Sequence, residues 1–198
     1  MNDFPKIQSP FVRKEIDGQY VVTPEIAEGM EWVFTDPNVL AVEKLDGTNV
    51  SIVMESGNMI GLYNRTQVKP IGALEDHRFI QGIRTTNSKG RLPVVSGQHF
   101  GELMGPKIQS NFLKLDQPEW FPFEHLKRSA TYTSFHKYEK NFDNWSSWFQ
   151  NDLFSLLYVK LHGEKIQPEG IVFHHPDGRM AKLRVDMWPW FTGRRHNR

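Results

Sequence analysis

At 198 residues, with 38% hydrophobic and 24% charged side chains, the chain has a globular composition and enough apolar material for a core. Its formal net charge of +1 excludes capture of polyanions by the overall field, so any nucleic-acid contact must come from a local patch. The absence of cysteine excludes a disulfide scaffold, a thiolate metal site and cysteine catalysis.

The first residues carry no apolar signal core and no apolar run is long enough to span a bilayer, so a soluble, cytoplasmic protein is expected. Residues 1–22 read as an irregular arm ending in a short strand, Gln19 to Val22. Thr23-Pro24-Glu25 is helix-start chemistry, a capping hydroxyl followed by proline and an acid, and predicts a helix to about Val33 that stops near Asp36-Pro37. Residues 39–45 and 49–55 predict strands, and Ser56-Gly57-Asn58 a hairpin turn into Met59–Arg65. The nearly continuous apolar character of these strands suits burial on both faces.

Leu74–Ile83 predicts a helix. Thr85–Arg91 reads as a polar, basic loop, either a solvated surface loop or a segment that holds a phosphate backbone. Val94–Met104 returns to strand and carries Phe100-Gly101-Glu102. Trp120-Phe121-Pro122-Phe123 is either an aromatic platform or core. Residues 141–162 give the clearest helical periodicity, with Asn141 or Asp143 to cap the start and Gly163 the end. Pro168-Glu169-Gly170 leads into strand 171–173, Pro176-Asp177-Gly178 is a hairpin turn, and Met180–Val185 is the return strand. No internal repeat, linker or second domain is visible, so residues 1–198 read as one domain.

The chemistry concentrates in Glu43-Lys44-Leu45-Asp46-Gly47-Thr48-Asn49, between two apolar runs. A lysine entering a strand from the core side has its ammonium form disfavoured by desolvation, which makes Lys44 a candidate nucleophile. Asp46-Gly47 is turn chemistry and would set that lysine at a pocket mouth. An ordinary surface lysine beside a turn is the plain alternative. Lys182 and Arg184 alternate on one strand and so share a face. His174-His175 are strand neighbours on opposite faces, which disfavours a shared ion.

Five segments occur in order: Glu43–Asn49, Asn64-Arg65-Thr66, Phe100-Gly101-Glu102-Leu103, Glu169–Phe173 and Lys182-Leu183-Arg184. Over roughly Ala41 to Val185 they resemble the covalent nucleotidyltransferase superfamily of polynucleotide ligases and capping enzymes. Within it they are most similar to ATP-dependent RNA ligases of the RNA ligase 2 and RNA-editing branch. The resemblance implies an α+β nucleotidyltransferase domain, ATP-grasp-like, with central antiparallel sheets flanked by helices. It implies that Lys44 attacks the α-phosphorus of ATP to form lysyl-AMP, that AMP passes to a 5′-phosphate, and that a 3′-hydroxyl seals the junction. RNA is expected as substrate rather than DNA, with Mg²⁺ or Mn²⁺ as cofactor.

By the same resemblance, Glu169 and Asp46 would serve the metal. The backbone beside Glu43 would read the adenine amine, with Leu45 next to it. Asn49 would bond within its motif or to a phosphate, and Arg65 would contact the ribose or the 5′-phosphate. Glu102 would accept the ribose hydroxyls, and Phe123, with Phe121 and Trp120 as competitors, would stack on the adenine. Lys182 and Arg184 would neutralise phosphate charge. Arg184 departs from the family's usual lysine. The OB-fold domain that follows the last strand in DNA ligases and capping enzymes is not expected here. A minimal DNA ligase, or a nucleic-acid-binding protein of this fold without the chemistry, are the alternatives.

Overall fold

The computed structural model describes residues 2–69 and 77–193. The chain forms two compact units, one of Met1–Pro5 and Leu45–Ser129, the other of Lys6–Lys44 and Ala130–Arg198. We call them unit 1 and unit 2. Antiparallel strand pairing dominates both, as expected for an α+β fold. No helix among the described residues is long and apolar enough to cross a membrane.

Unit 2 begins with a hairpin of β1 (Phe11–Ile16) and β2 (Gln19–Ile26). The helix expected from Thr23-Pro24-Glu25 is not formed. β2 runs through this stretch to Ile26, and the Thr23 hydroxyl donates to the Val12 carbonyl across the hairpin instead of capping. Pro24 is tolerated because the β1–β2 register shifts beside it, where a ladder N–H is not required. Only a short helix, α1 (Trp32–Thr35), follows.

β3 (Leu40–Lys44) then pairs with β9 (Gly170–His174), which pairs with β10 (Met180–Arg184), giving the sheet order β10-β9-β3. The register sets Ala41 opposite Phe173, Glu43 opposite Ile171 and Lys44 opposite Gly170. Strand alternation puts Ala41, Glu43, Ile171, Phe173, Ala181 and Leu183 on one face. Apart from Glu43, these join an aromatic core with Phe135, Trp145, Trp148, Phe149 and Trp188. Trp145 stacks on Phe173 at 5.2 Å and on Phe34 at 4.9 Å.

The long helix expected over 141–162 is broken in two. α4 (Phe142–Ser147) starts at Asn141, whose side chain accepts from the Asn144 N–H at 2.9 Å. A wider π turn covers Trp148–Asp152, and α5 (Leu156–His162) starts afresh at Ser155 and ends at left-handed Gly163. The break serves Glu43. Its carboxylate accepts from the Ser155 hydroxyl and from the Leu157 N–H at 3.0 Å, so the new helix start meets the acid. His175 is held by Asp36 at 2.8 Å and by Asp177 at 2.7 Å.

Unit 1 is a five-stranded antiparallel sheet in the order β6-β5-β4-β7-β8: β4 (Thr48–Glu55), β5 (Asn58–Asn64), β6 (Gln67–Val68), β7 (Gly97–Met104) and β8 (Glu119–Pro122). Burial is two-sided at the centre of β4, where Val50, Ser51 and Ile52 are all buried, as in β3 at Ala41, Val42 and Glu43, but not along β5. Val50, Ile52, Leu62, Leu103 and Trp120 pack with Ile80 and Ile83 of α2 (His77–Ser88), while β5 leaves Asn58 and Ile60 exposed.

α2 continues through Thr85 to Ser88, where a loop was expected, and residues 74–76 of the expected helix lie outside the described residues. The Thr85 and Thr86 hydroxyls donate to the Gln81 and Gly82 carbonyls one turn back, which keeps these polar residues helical. Lys89 and Arg91 both bind Glu119, itself 3% exposed. These two cations therefore brace a buried acid. Trp120 and Phe121 of the aromatic run are buried, and Phe123 opens α3 (Phe123–Ser129).

Candidate active site

In unit 2, the face of the β10-β9-β3 sheet opposite the core carries Lys44 at the end of β3 and Lys182 and Arg184 on β10. Lys44 Nζ lies 2.6 Å from Glu169 Oε2, with side chains 15% and 11% exposed. The lysine is thus held by a carboxylate in a largely buried pair. Glu169 precedes Gly170, and that glycine is needed for packing: a Cβ there would stand 2.6 Å from the Arg184 Cα. The close approach lets β9 lie against β10 and sets Glu169 between the two cations.

Arg184 Nη1 is 3.8 Å from Glu169 Oε1, and its Nη2 donates to Asp186 Oδ2 at 2.9 Å. Lys44, Glu169, Arg184 and Asp186 form one chain of alternating charge. Arg184 Nε and Asp186 Oδ1 are buried without a partner among the described residues, so the network there has unused donor and acceptor capacity. Asp186 was not singled out from the sequence. It lies just past β10, in a short 3₁₀ turn over Val185–Met187, and alternation says nothing of its direction there.

Glu43, next to Lys44, is 2% exposed and faces the core. Burial pushes its carboxyl up to about 6, against the lowering effect of its bonds to Ser155 and to the Leu157 and Leu156 backbone. Its own N–H donates to the Ala130 carbonyl at 2.8 Å.

In unit 1, the turn after the lysine is held by Glu102, whose Oε1 accepts from the Gly47 N–H at 3.1 Å. A Cβ at Gly47 would stand 2.7 Å from Met104 Sδ and 2.8 Å from Glu102 Cγ, so only glycine lets the turn approach β7 this closely. Asp46 accepts from the Ser110 hydroxyl at 2.9 Å, and Leu45 is buried. Asn49 lies opposite Glu102 in the ladder, and its Oδ1 is buried with no partner among the described residues.

Alternation along β7 puts Gln98, Phe100 and Glu102 on one face, with Asn49 and Ser51 of β4 beside them. Phe100 went unnoticed as a candidate, although its place two residues before Glu102 assigns it to this face. Arg65 adopts a left-handed backbone (φ 55°) in the turn between β5 and β6. Its guanidinium holds the Asp3 carboxylate at 3.2 and 3.3 Å. Phe123 and Phe100 both contact the ring of Phe4.

The antiparallel sheets, the Lys-x-Asp-Gly turn at a strand end and the lysine–carboxylate pair define the nucleotidyltransferase class of fold. The RNA ligase family model matches residues 37–188, and the chain belongs to that family. No curated protein matches it. Among solved structures, it resembles Naegleria gruberi RNA ligase in a lysine-to-methionine variant with AMP and Mn (TM-score 0.53), in a lysine-to-alanine variant with ATP and Mn (0.52), and with PPi (0.51). Each is 16% identical over 93% of this chain, a likeness of fold. The chain spans 58% of the length of those structures.

Proposed function

We propose that this chain is the adenylation part of an ATP-dependent RNA ligase working through Lys44. The observation that carries the reading is the Lys44–Glu169 pair at 2.6 Å, on a sheet face shared with Lys182 and Arg184. A nucleophilic amine, a hard oxygen donor and two cations are the parts that phosphoryl chemistry requires. In the reaction, Lys44 Nζ forms a P–N bond to the α-phosphorus while the bond to the bridging oxygen breaks and pyrophosphate leaves. The amine loses a proton in the process. The amine must be released from Glu169 before it can attack, so the carboxylate needs a second partner.

A divalent cation suits that role: Glu169 offers carboxylate oxygen, and Asp186 Oδ1, in the same charge network, is a buried acceptor without a partner among the described residues. The Naegleria relatives were solved with Mn and ATP or AMP, which supports a divalent metal and an adenine nucleotide here. When bound, the metal neutralises phosphate charge as a Lewis acid. Asp46, in unit 1, is a second carboxylate of the same hard-oxygen type.

Lys182 and Arg184 neutralise phosphate oxygens. In unit 1, Phe123 is the candidate for the adenine ring, Glu102 for the ribose hydroxyls, Asn49 for a phosphate and Arg65 for the ribose or a 5′-phosphate. Glu43 and Leu45 flank the nucleophile, with the backbone beside Glu43 as the reader of the adenine amine. AMP then passes from Lys44 to the 5′-phosphate of an RNA strand, and a 3′-hydroxyl displaces it.

Incubation with α-labelled ATP and Mg²⁺ or Mn²⁺, followed by a denaturing gel, tests the reading. Label retained by the wild type and lost in Lys44→Ala is expected. Absence of label with either metal would overturn it.

A further inference from the structure

Residues 2–5 belong to unit 1 although nearly forty residues of unit 2 follow them in the chain. They lie along the polar face of its sheet and are held at three points. The Asn2 N–H donates to Gln98 Oε1 at 3.1 Å, and Gln98 Nε2 donates back to the Asn2 carbonyl at 2.8 Å. The Asp3 carboxylate takes the Arg65 guanidinium through Nε and Nη2. The Phe4 ring sits 5.2 Å from Phe100 and 5.0 Å from Phe123, tilted to both.

The Phe4 ring thus lies against both Phe100 and Phe123, the rings that a base would meet on this face. Arg65, a fork suited to phosphate oxygens, holds a carboxylate. An aromatic ring and an anion, joined by one peptide link, occupy the two side chains read above as contacts for a base and for a ribose or phosphate. We propose that segment 2–5 is a built-in occupant of the nucleotide face of unit 1, with Phe4 in the place of the base and Asp3 in the place of the phosphate.

The segment must leave for ATP to engage Phe100, Phe123 and Arg65, so its docking is self-masking. Its anchors suit a displaceable occupant. The Arg65 and Asp3 side chains are 65% and 36% exposed, and an ion pair so open to water is weak. A multiply charged phosphate chain binds the same guanidinium more strongly. The inference rests on the nucleotide roles proposed for Phe123 and Arg65.

The test is the ATP dependence of Lys44 labelling in the full chain and in the double variant Asp3→Ala/Phe4→Ala, neither residue belonging to the reacting machinery. Apparent affinity scales with the fraction of molecules whose site is open. If the segment is docked in about nine-tenths of them, the variant's KM for ATP falls roughly ten-fold while its maximal labelling rate is unchanged. Hydrogen exchange at residues 2–5 of the wild type rises on adding ATP. A labelled wild type with an unchanged or higher KM in the variant overturns the proposal alone, a higher value marking the segment as a wall of the site. A wild type that takes no label fails the ligase reading, and the proposal with it.

Discussion

The two faces of the β10-β9-β3 sheet are built from alternate residues of the same strands, yet they hold their charges in opposite ways. On the core face, Glu43 is buried, and its carboxylate is met by the Ser155 hydroxyl and a backbone N–H. On the other face, Glu169 is met by Lys44 and Arg184, side chains that can exchange one partner for another. Glu43 is satisfied by groups fixed in a helix start, so its contacts are those of a structural acid. Glu169 is satisfied by two side chains, Lys44 and Arg184, that the proposed function makes nucleophile and phosphate partner, so it can be released. On that reading, adjacent residues 43 and 44 separate architecture from chemistry across one strand.

Damage to the charged face should act on the rate. Arg184→Ala removes a fixed charge from the Lys44–Glu169 network and is expected to slow adenylation roughly 10²-fold in single-turnover labelling. Arg184→Lys, which keeps the positive charge, should recover most of the rate. Unfolding midpoints near the wild-type value would show that the face serves chemistry rather than stability.

Damage to the core face should act on stability instead. Trp145→Ala empties a ring site between Phe34 and Phe173, and about 3–5 kcal/mol should be lost in urea unfolding. The smallest effect sharpens the contrast at Glu43. Burial raises its carboxyl from the ordinary 4.5 to about 6, so the folded state binds that proton more tightly than the unfolded chain. The stabilisation is fully present below about pH 4.5 and is lost as pH rises through about 6, a change of about 2 kcal/mol. Glu43→Gln should remove this part of the pH dependence, read as the wild-type minus variant difference between pH 4 and pH 7.

The strands that carry the site were legible because alternation and turn residues are local signals. Lys182 and Arg184 could be placed on one sheet face from strand alternation alone. Most of the failures involve partners distant in sequence. Thr23-Pro24 has helix-start chemistry, but the Thr23 hydroxyl finds Val12 across a hairpin. The periodicity over 141–162 is continuous, but Glu43, more than a hundred residues earlier, needs Ser155 and Leu157 at a helix start. Thr85 and Thr86 look like loop residues until their hydroxyls are seen to bond back along α2. Asp3 and Phe4 carry no periodicity at all, and their roles emerge only when Arg65, Phe100 and Phe123 stand beside them.

The central claim is that Lys44, rather than any other amine, becomes adenylated. Peptide mapping after incubation with ATP and Mn²⁺ tests it most directly. An acid-labile AMP adduct on the peptide containing Lys44, absent from Lys44→Ala, is the predicted result. An adduct on another lysine, such as Lys182, or no adduct at all, would contradict the account.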